Sequence, residues 1–133
     1  MKKKDLYITK LISKFEKAFQ RYEAHKRMQL EMIHWAVEQL QNMGMSEYDK
    51  LRLEFFFYAP TKEKAEKLNR ILKEKYHYEI APIHKTGNRF SVCGLTDCII
   101  ISSGIIQEWV SEMCDIAFEN DCEFDGWGTI ADQ

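Results

Sequence analysis

The residues that most constrain this chain are Leu51 to Tyr58. Leu51, Leu53, Phe55 and Phe57 alternate with Arg52, Glu54, Phe56 and Tyr58. A period of two means a strand with one apolar face. Pro60 stops it, and long helical patterns stand on both sides. The chain must therefore lay helices against a sheet, which makes the fold class α+β.

The other elements follow from the same test. Ile8, Leu11, Ile12, Phe15, Ala18, Phe19 and Tyr22 recur at three- and four-residue steps, and the phase resumes from Ile33 to Met43. Lys26 and Gln29 interrupt that stripe. Two readings stay open: one long helix with a polar waist, or two helices meeting near Glu23–Arg27. Gly44 is placed to end the helix. Thr61 caps a helix whose apolar positions are Ala65, Leu68, Ile71 and Leu72. A second strand is expected over Tyr76–Ile83, a turn at Lys85–Asn88 and a third strand over Arg89–Leu95. Ser102 or Ser103 caps a helix with Ile106, Trp109, Val110, Met113, Ile116 and Ala117 inside. Cys122–Thr129 is expected as the last strand. Strand–helix–strand–strand–helix–strand is the ferredoxin-like βαββαβ order, with two helices on one face of a four-stranded antiparallel sheet and an N-terminal helical extension. The division expected is a basic extension over 1–27 and an α+β domain over 28–133.

Charge is segregated. Residues 1–30 carry a net +6 and residues 31–133 a net −8, and no Lys or Arg follows Arg89. An acidic C-terminal third repels phosphates, so a nucleic-acid surface is not expected there and a basic protein partner is. Lys2–Lys4 are followed at once by Asp5, and Leu6–Phe19 is broken by charges, so neither a secretory signal nor a membrane span is expected, and a cytoplasmic location is. Cys93, Cys98, Cys114 and Cys122 have no paired short spacing, which favours reduced thiols over a metal site. None of the common phosphate, nucleophile or zinc motifs is present, and His25, His34, His77 and His84 have no partner spacing. No catalytic residue, metal or cofactor is expected.

The run Phe124-Asp125-Gly126-Trp127-Gly128-Thr129 stands out. Asp-Gly favours a turn or positive φ, and the two glycines leave the backbone around Trp127 open to close approach. Trp127 is either a structural wedge on the core or a partly exposed anchor flanked by acids. Candidate partner-binding residues are Glu123, Asp125, Gly126, Trp127 and Gly128, with Glu108, Glu112 and Asp115 from the preceding helix.

This run resembles the (F/Y)DGWGT signature of the RraB-like ribonuclease E inhibitor family. Leu53-Glu54-Phe55-Phe56-Phe57-Tyr58-Ala59-Pro60, with Ala65 and Leu68, is similar to that family's first strand and helix. Tyr76-His77-Tyr78-Glu79-Ile80 is similar to its Gly-Tyr-x-Val strand, without the glycine. Ile116 to Glu123 is similar to its closing helix and turn. The resemblance covers about residues 28–130. It implies a ferredoxin-like fold and a non-catalytic role, restraining an RNA-degrading endonuclease or its basic scaffold region by protein contacts. This chain lacks the long acidic tail of well-known members and adds the basic helix. A toxin-neutralising or complex-building protein and a small-molecule-sensing module are the alternatives. Self-association through the N-terminal helix is the further expectation, because its apolar stripe needs cover.

Overall fold

The computed structural model describes residues 3–129, apart from the side chains of Lys4 and Asp5. The last four residues of the expected domain lie outside the described residues. The first helix, α1, is unbroken from Lys3 to Asn42, so the polar waist is part of one helix. At 1.5 Å per residue it is about 60 Å long. Gly44, at φ +94, closes it: Met45 N–H donates to the Leu40 carbonyl and Gly44 N–H to that of Gln41. This paired closure is the helix-ending motif that needs a left-handed residue.

Strand β1 (Lys50–Ala59) follows, then α2 (Lys62–Glu74), capped by Thr61 through Lys64 N–H. The expected second strand is two short pieces, β2 (Glu79–Ile80) and β3 (His84–Thr86). Ala81 to Ile83, containing Pro82, separates them, in line with proline's missing ladder donor. The turn is tighter than expected, confined to Gly87-Asn88, with Gly87 at φ +61. Strand β4 runs from Arg89 to Ile100, beyond the expected end at Leu95. The extension hides in the sequence because the alternation slips at a bulge. Arg52 pairs with Cys98 but Glu54 pairs with Leu95. Buried Thr96 serves the gap: its hydroxyl accepts from Leu53 N–H at 2.9 Å and donates to the Asp97 carbonyl at 2.7 Å.

Helix α3 (Ser103–Glu119) is capped by Ser102 through Ile105 N–H, and β5 (Glu123–Thr129) is the last described element. All strand pairs are antiparallel, in the order β2-β4-β1-β5, with β3 also on β4. The described residues thus form an α+β protein with three helices and a five-stranded antiparallel sheet.

One sheet face is covered. Leu53, Phe55, Phe57 and Ala59 of β1 are buried with Val92, Phe124, Ala65, Leu68, Leu72, Ile106, Val110 and Met113. Burying a large apolar side chain stabilises the fold by about 1.5–3 kcal/mol, so this layer is the main source of stability. Helix α1 packs on α3. Tyr22 stacks on Phe118 with ring centroids 4.4 Å apart, and Phe19 meets the same ring edge-on at 6.0 Å. Lys26 reaches Asp115, and Leu30 and His34 share a cleft with Gln107, so the two helices run antiparallel. Ile33, Val37 and Leu40 then enter the core.

Candidate functional site

The run 124–129 lies on β5, the sheet's edge, beside β1. Phe57 pairs with Phe124 and Phe56 with Gly126, which leaves Asp125 as the extra residue of a bulge. Gly126 has φ +152, a conformation that side chains resist, although a Cβ there would meet nothing within 4 Å. The bulge sets the facing of the rest. Trp127 pairs with Phe55 on the covered face, half-buried against the core. Gly126 and Gly128 pair with Phe56 and Glu54 on the open face. The two glycines place no side chain beside Phe56, which is 38% exposed. Arg89 stacks on the Tyr58 ring at 4.0 Å at the end of that face, 4.0 Å from the Glu123 carboxylate.

Helix α1 fixes β5 from the other side. Gln29, only 6% exposed, donates from Nε2 to the Asp125 carbonyl at 3.0 Å. His25 donates from Nε2 to the Phe124 carbonyl, and its Nδ1 lies 3.5 Å from Glu123. The polar waist is therefore the point where α1 meets the bulged strand. Sequence reading missed His25 and Gln29 as members of this site. The break that Lys26 and Gln29 make in the apolar stripe was the available signal, but the partners of His25 and Gln29 lie about a hundred residues away.

The candidate acids are spread along one path. Glu108 and Glu112 are on the exposed side of α3, and Glu112 accepts from the Tyr76 hydroxyl at 2.8 Å. Asp115 is occupied within the molecule: it accepts from the Tyr22 hydroxyl and pairs with Lys26 at 2.9 Å. Partial burial pushes its carboxyl up, but those two bonds outweigh this and hold it below the usual range. Asp121, at φ +55, takes the left-handed position after α3 and pairs with Lys64 at 3.2 Å. Glu123 and Asp125 follow on β5, both exposed. Among the described residues Glu108, Glu112, Glu119 and Asp125 of this group have no cationic partner. Structure thus gathers Glu123, Asp125, Gly126 and Gly128 on one edge, turns Trp127 inward and ties Asp115 to α1.

Reactive chemistry is disfavoured at the nearby thiols. All four cysteines are free. Burial pushes the Cys114 thiol up to about 12, and burial with Asp121 pushes Cys122 up to about 11. Both stay protonated near neutral pH and are poor nucleophiles. A groove of about 320 Å³ opens between α1 and the corner where α3 passes into β5, lined by Ala18, Arg21, Tyr22, Phe118, Asp121 and Glu123 among others. No described helix is long and apolar enough to cross a membrane.

Comparison with known proteins agrees with the resemblance carried by the 124–129 run. No curated protein matches the chain. The family model described as "Regulator of ribonuclease activity B" matches residues 30–129, which include β1, the split β2/β3 edge, α3 and the whole signature strand. The chain therefore belongs to the RraB family, the regulators of ribonuclease activity B.

Proposed function

We propose that this chain is a non-catalytic regulator that restrains a ribonuclease, ribonuclease E by the resemblance above, through protein–protein contacts. The observation that carries this is the β5 edge. Its bulge exposes Asp125, and its glycines leave Phe56 uncovered beside Glu54. An apolar spot beside Glu54, on an edge that also carries Glu123 and Asp125, suits a basic protein surface and disfavours nucleic acid. Glu123 extends the charge along this edge, Glu108 and Glu112 carry it onto the outer side of α3 across the sheet from Phe56, and Trp127 packs beneath the strand. We read residues 28–133 as the binding domain, residues 1–27 as a basic extension that also mediates self-association, and the strand order as ferredoxin-like. A cytoplasmic site of action fits a partner that degrades RNA.

The test is binding and inhibition of purified ribonuclease E. Asp125→Lys with Glu108→Lys reverses two unpaired charges, and each tenfold loss of affinity corresponds to about 1.4 kcal/mol. The expected outcome is at least a tenfold loss of binding with an unchanged unfolding midpoint. Wild-type affinity in the double variant would remove this surface from the proposal. No binding by the wild-type chain would remove the ribonuclease.

A further inference from the structure

The start of α1, from Lys3 to Lys17, projects past the domain with an uncovered apolar face that runs on to Phe19. Leu6, Tyr7, Ile8, Leu11, Ile12, Phe15 and Phe19 are each between 41% and 64% exposed. Ile8, Leu11, Phe15, Ala18 and Tyr22 follow a spacing of three and four, and the same face continues into Ile33, Val37 and Leu40, which are buried. The arm is thus the front half of a seam whose rear half is closed by α3. Alongside the seam, α3 occupies the neighbouring position only as far as Phe118, which meets Phe19 and Tyr22. Before that contact, the arm's apolar residues from Leu6 to Phe15 are exposed, so no described residue covers them.

We propose that a second copy of this chain covers them, arm against arm and antiparallel, so that each partner's arm continues the line of the other's α3. This rests on the self-association reading above and gives it a geometry. A parallel pair is blocked, because the partner's α1 would run on into the space that α3 holds. A flat lipid surface is blocked too: the domain stands on the side toward which the arm's apolar face points. A single helix, about 10–12 Å across, fits in line with α3.

An axis between Leu11 and Ile12 sets Ile8 of one copy opposite Phe15 of the other. It also brings the Lys3 end of one arm to the α3–β5 corner of its partner. Charge is complementary there. Glu119, which has no cationic partner among the described residues, stands at the end of α3 with Asp121 and Glu123, which already pair with Lys64 and with His25 and Arg89; the last turn holds no basic residue, and the 320 Å³ groove, with Arg21 in its lining, opens at the same point. The arms bring about 500 Å² of apolar surface per copy, and the corners add to it; a standard interface takes about 800 Å² per partner.

Light scattering on the full chain should give twice the 15.8 kDa chain mass. Leu11→Asp with Phe15→Asp should give one chain mass with the wild-type tryptophan fluorescence, since Leu11 and Phe15 are exposed and the ring that Phe15 meets is Phe19 of its own helix. Carbodiimide coupling of a mixture of light and isotopically heavy protein reads the direction. Links between Lys3 of one copy and Glu119 or Asp121 of the other support the antiparallel pair. A wild-type monomer up to its solubility limit overturns the proposal, and sedimentation of that monomer with phosphatidylglycerol vesicles would transfer the arm to lipid. A dimer that survives the double substitution, or one without heavy–light links to the α3 end, also overturns it. Ribonuclease binding by the monomeric variant tells the two readings apart: it persists if only the dimer is wrong or dispensable, and is absent in every form if the regulatory reading is wrong.

Discussion

Gly126 and Gly128 look equivalent in the sequence and are not. Gly126 stands at φ +152, where a side chain is strained even though the space is empty, whereas Gly128 needs no special φ and faces open space. Gly126→Ala is expected to lower stability by about 1–3 kcal/mol, the usual cost of a sparsely populated backbone conformation. Gly128→Ala should stay within about 0.5 kcal/mol of wild type. Urea unfolding of the two variants separates them, and equal losses would contradict this account of the bulge. If Gly128→Ala then weakens ribonuclease binding, its absent side chain serves the partner rather than the fold. Gly94 is a third case: a Cβ there would sit 2.1 Å from the Glu79 carbonyl, so that glycine lets β2 approach β4. His77, at φ +60, stands at the position where the Gly-Tyr-x-Val resemblance calls for a glycine and adopts a conformation that glycine would take more easily. His77→Gly should therefore raise the urea midpoint, with a gain of about 1 kcal/mol at most.

Among the elements, α1 was the hardest to place from sequence. Its periodicity was legible, as were the caps Thr61 and Ser102 and the core faces of β1, α2 and α3, because local patterns carry those signals. Lys26 and Gln29 read only as defects in a stripe. Their meaning depends on Asp115 and Asp125, which no local pattern connects to them. The β4 extension was hidden for a related reason, since a bulge breaks the period that identifies a strand. Gln29→Ala should cost about 1–3 kcal/mol, because it leaves the Asp125 carbonyl without its buried donor. Amide exchange should quicken first along β5, and exchange unchanged there would mean that the bond holds nothing. The Asp115 pair adds a pH dependence. Its folded pKa is lowered, so its contribution is complete above the ordinary carboxylate value of about 3.9 and is lost as pH falls through the folded value. The gap in urea midpoint between wild type and Asp115→Asn should be widest near about pH 6 and close as the medium becomes strongly acidic.

For the molecule as a whole, the arm makes oligomeric state and stability one question. A folded form held together by mass action unfolds at a midpoint that rises with protein concentration. Calorimetry across a hundredfold dilution should show that rise in the wild-type chain and a flat line for Leu11→Asp with Phe15→Asp. A flat line for both would mean that the arm contributes nothing to stability. The overall charge pattern, basic arm and acidic remainder, was plain in the sequence. Which surface each half would present was not, because it depends on how far α3 extends along α1.

Strand β5 is the outermost long strand, and such a margin is ordinarily an invitation for another chain to stack on and propagate. Here a bulge kinks it, and His25 and Gln29 reach across to two of its carbonyls. Helix α1 is thereby a guard against fibril-like growth as well as a packing element. Conditions that lift it away should turn a reversible unfolding into precipitation before the core itself is lost.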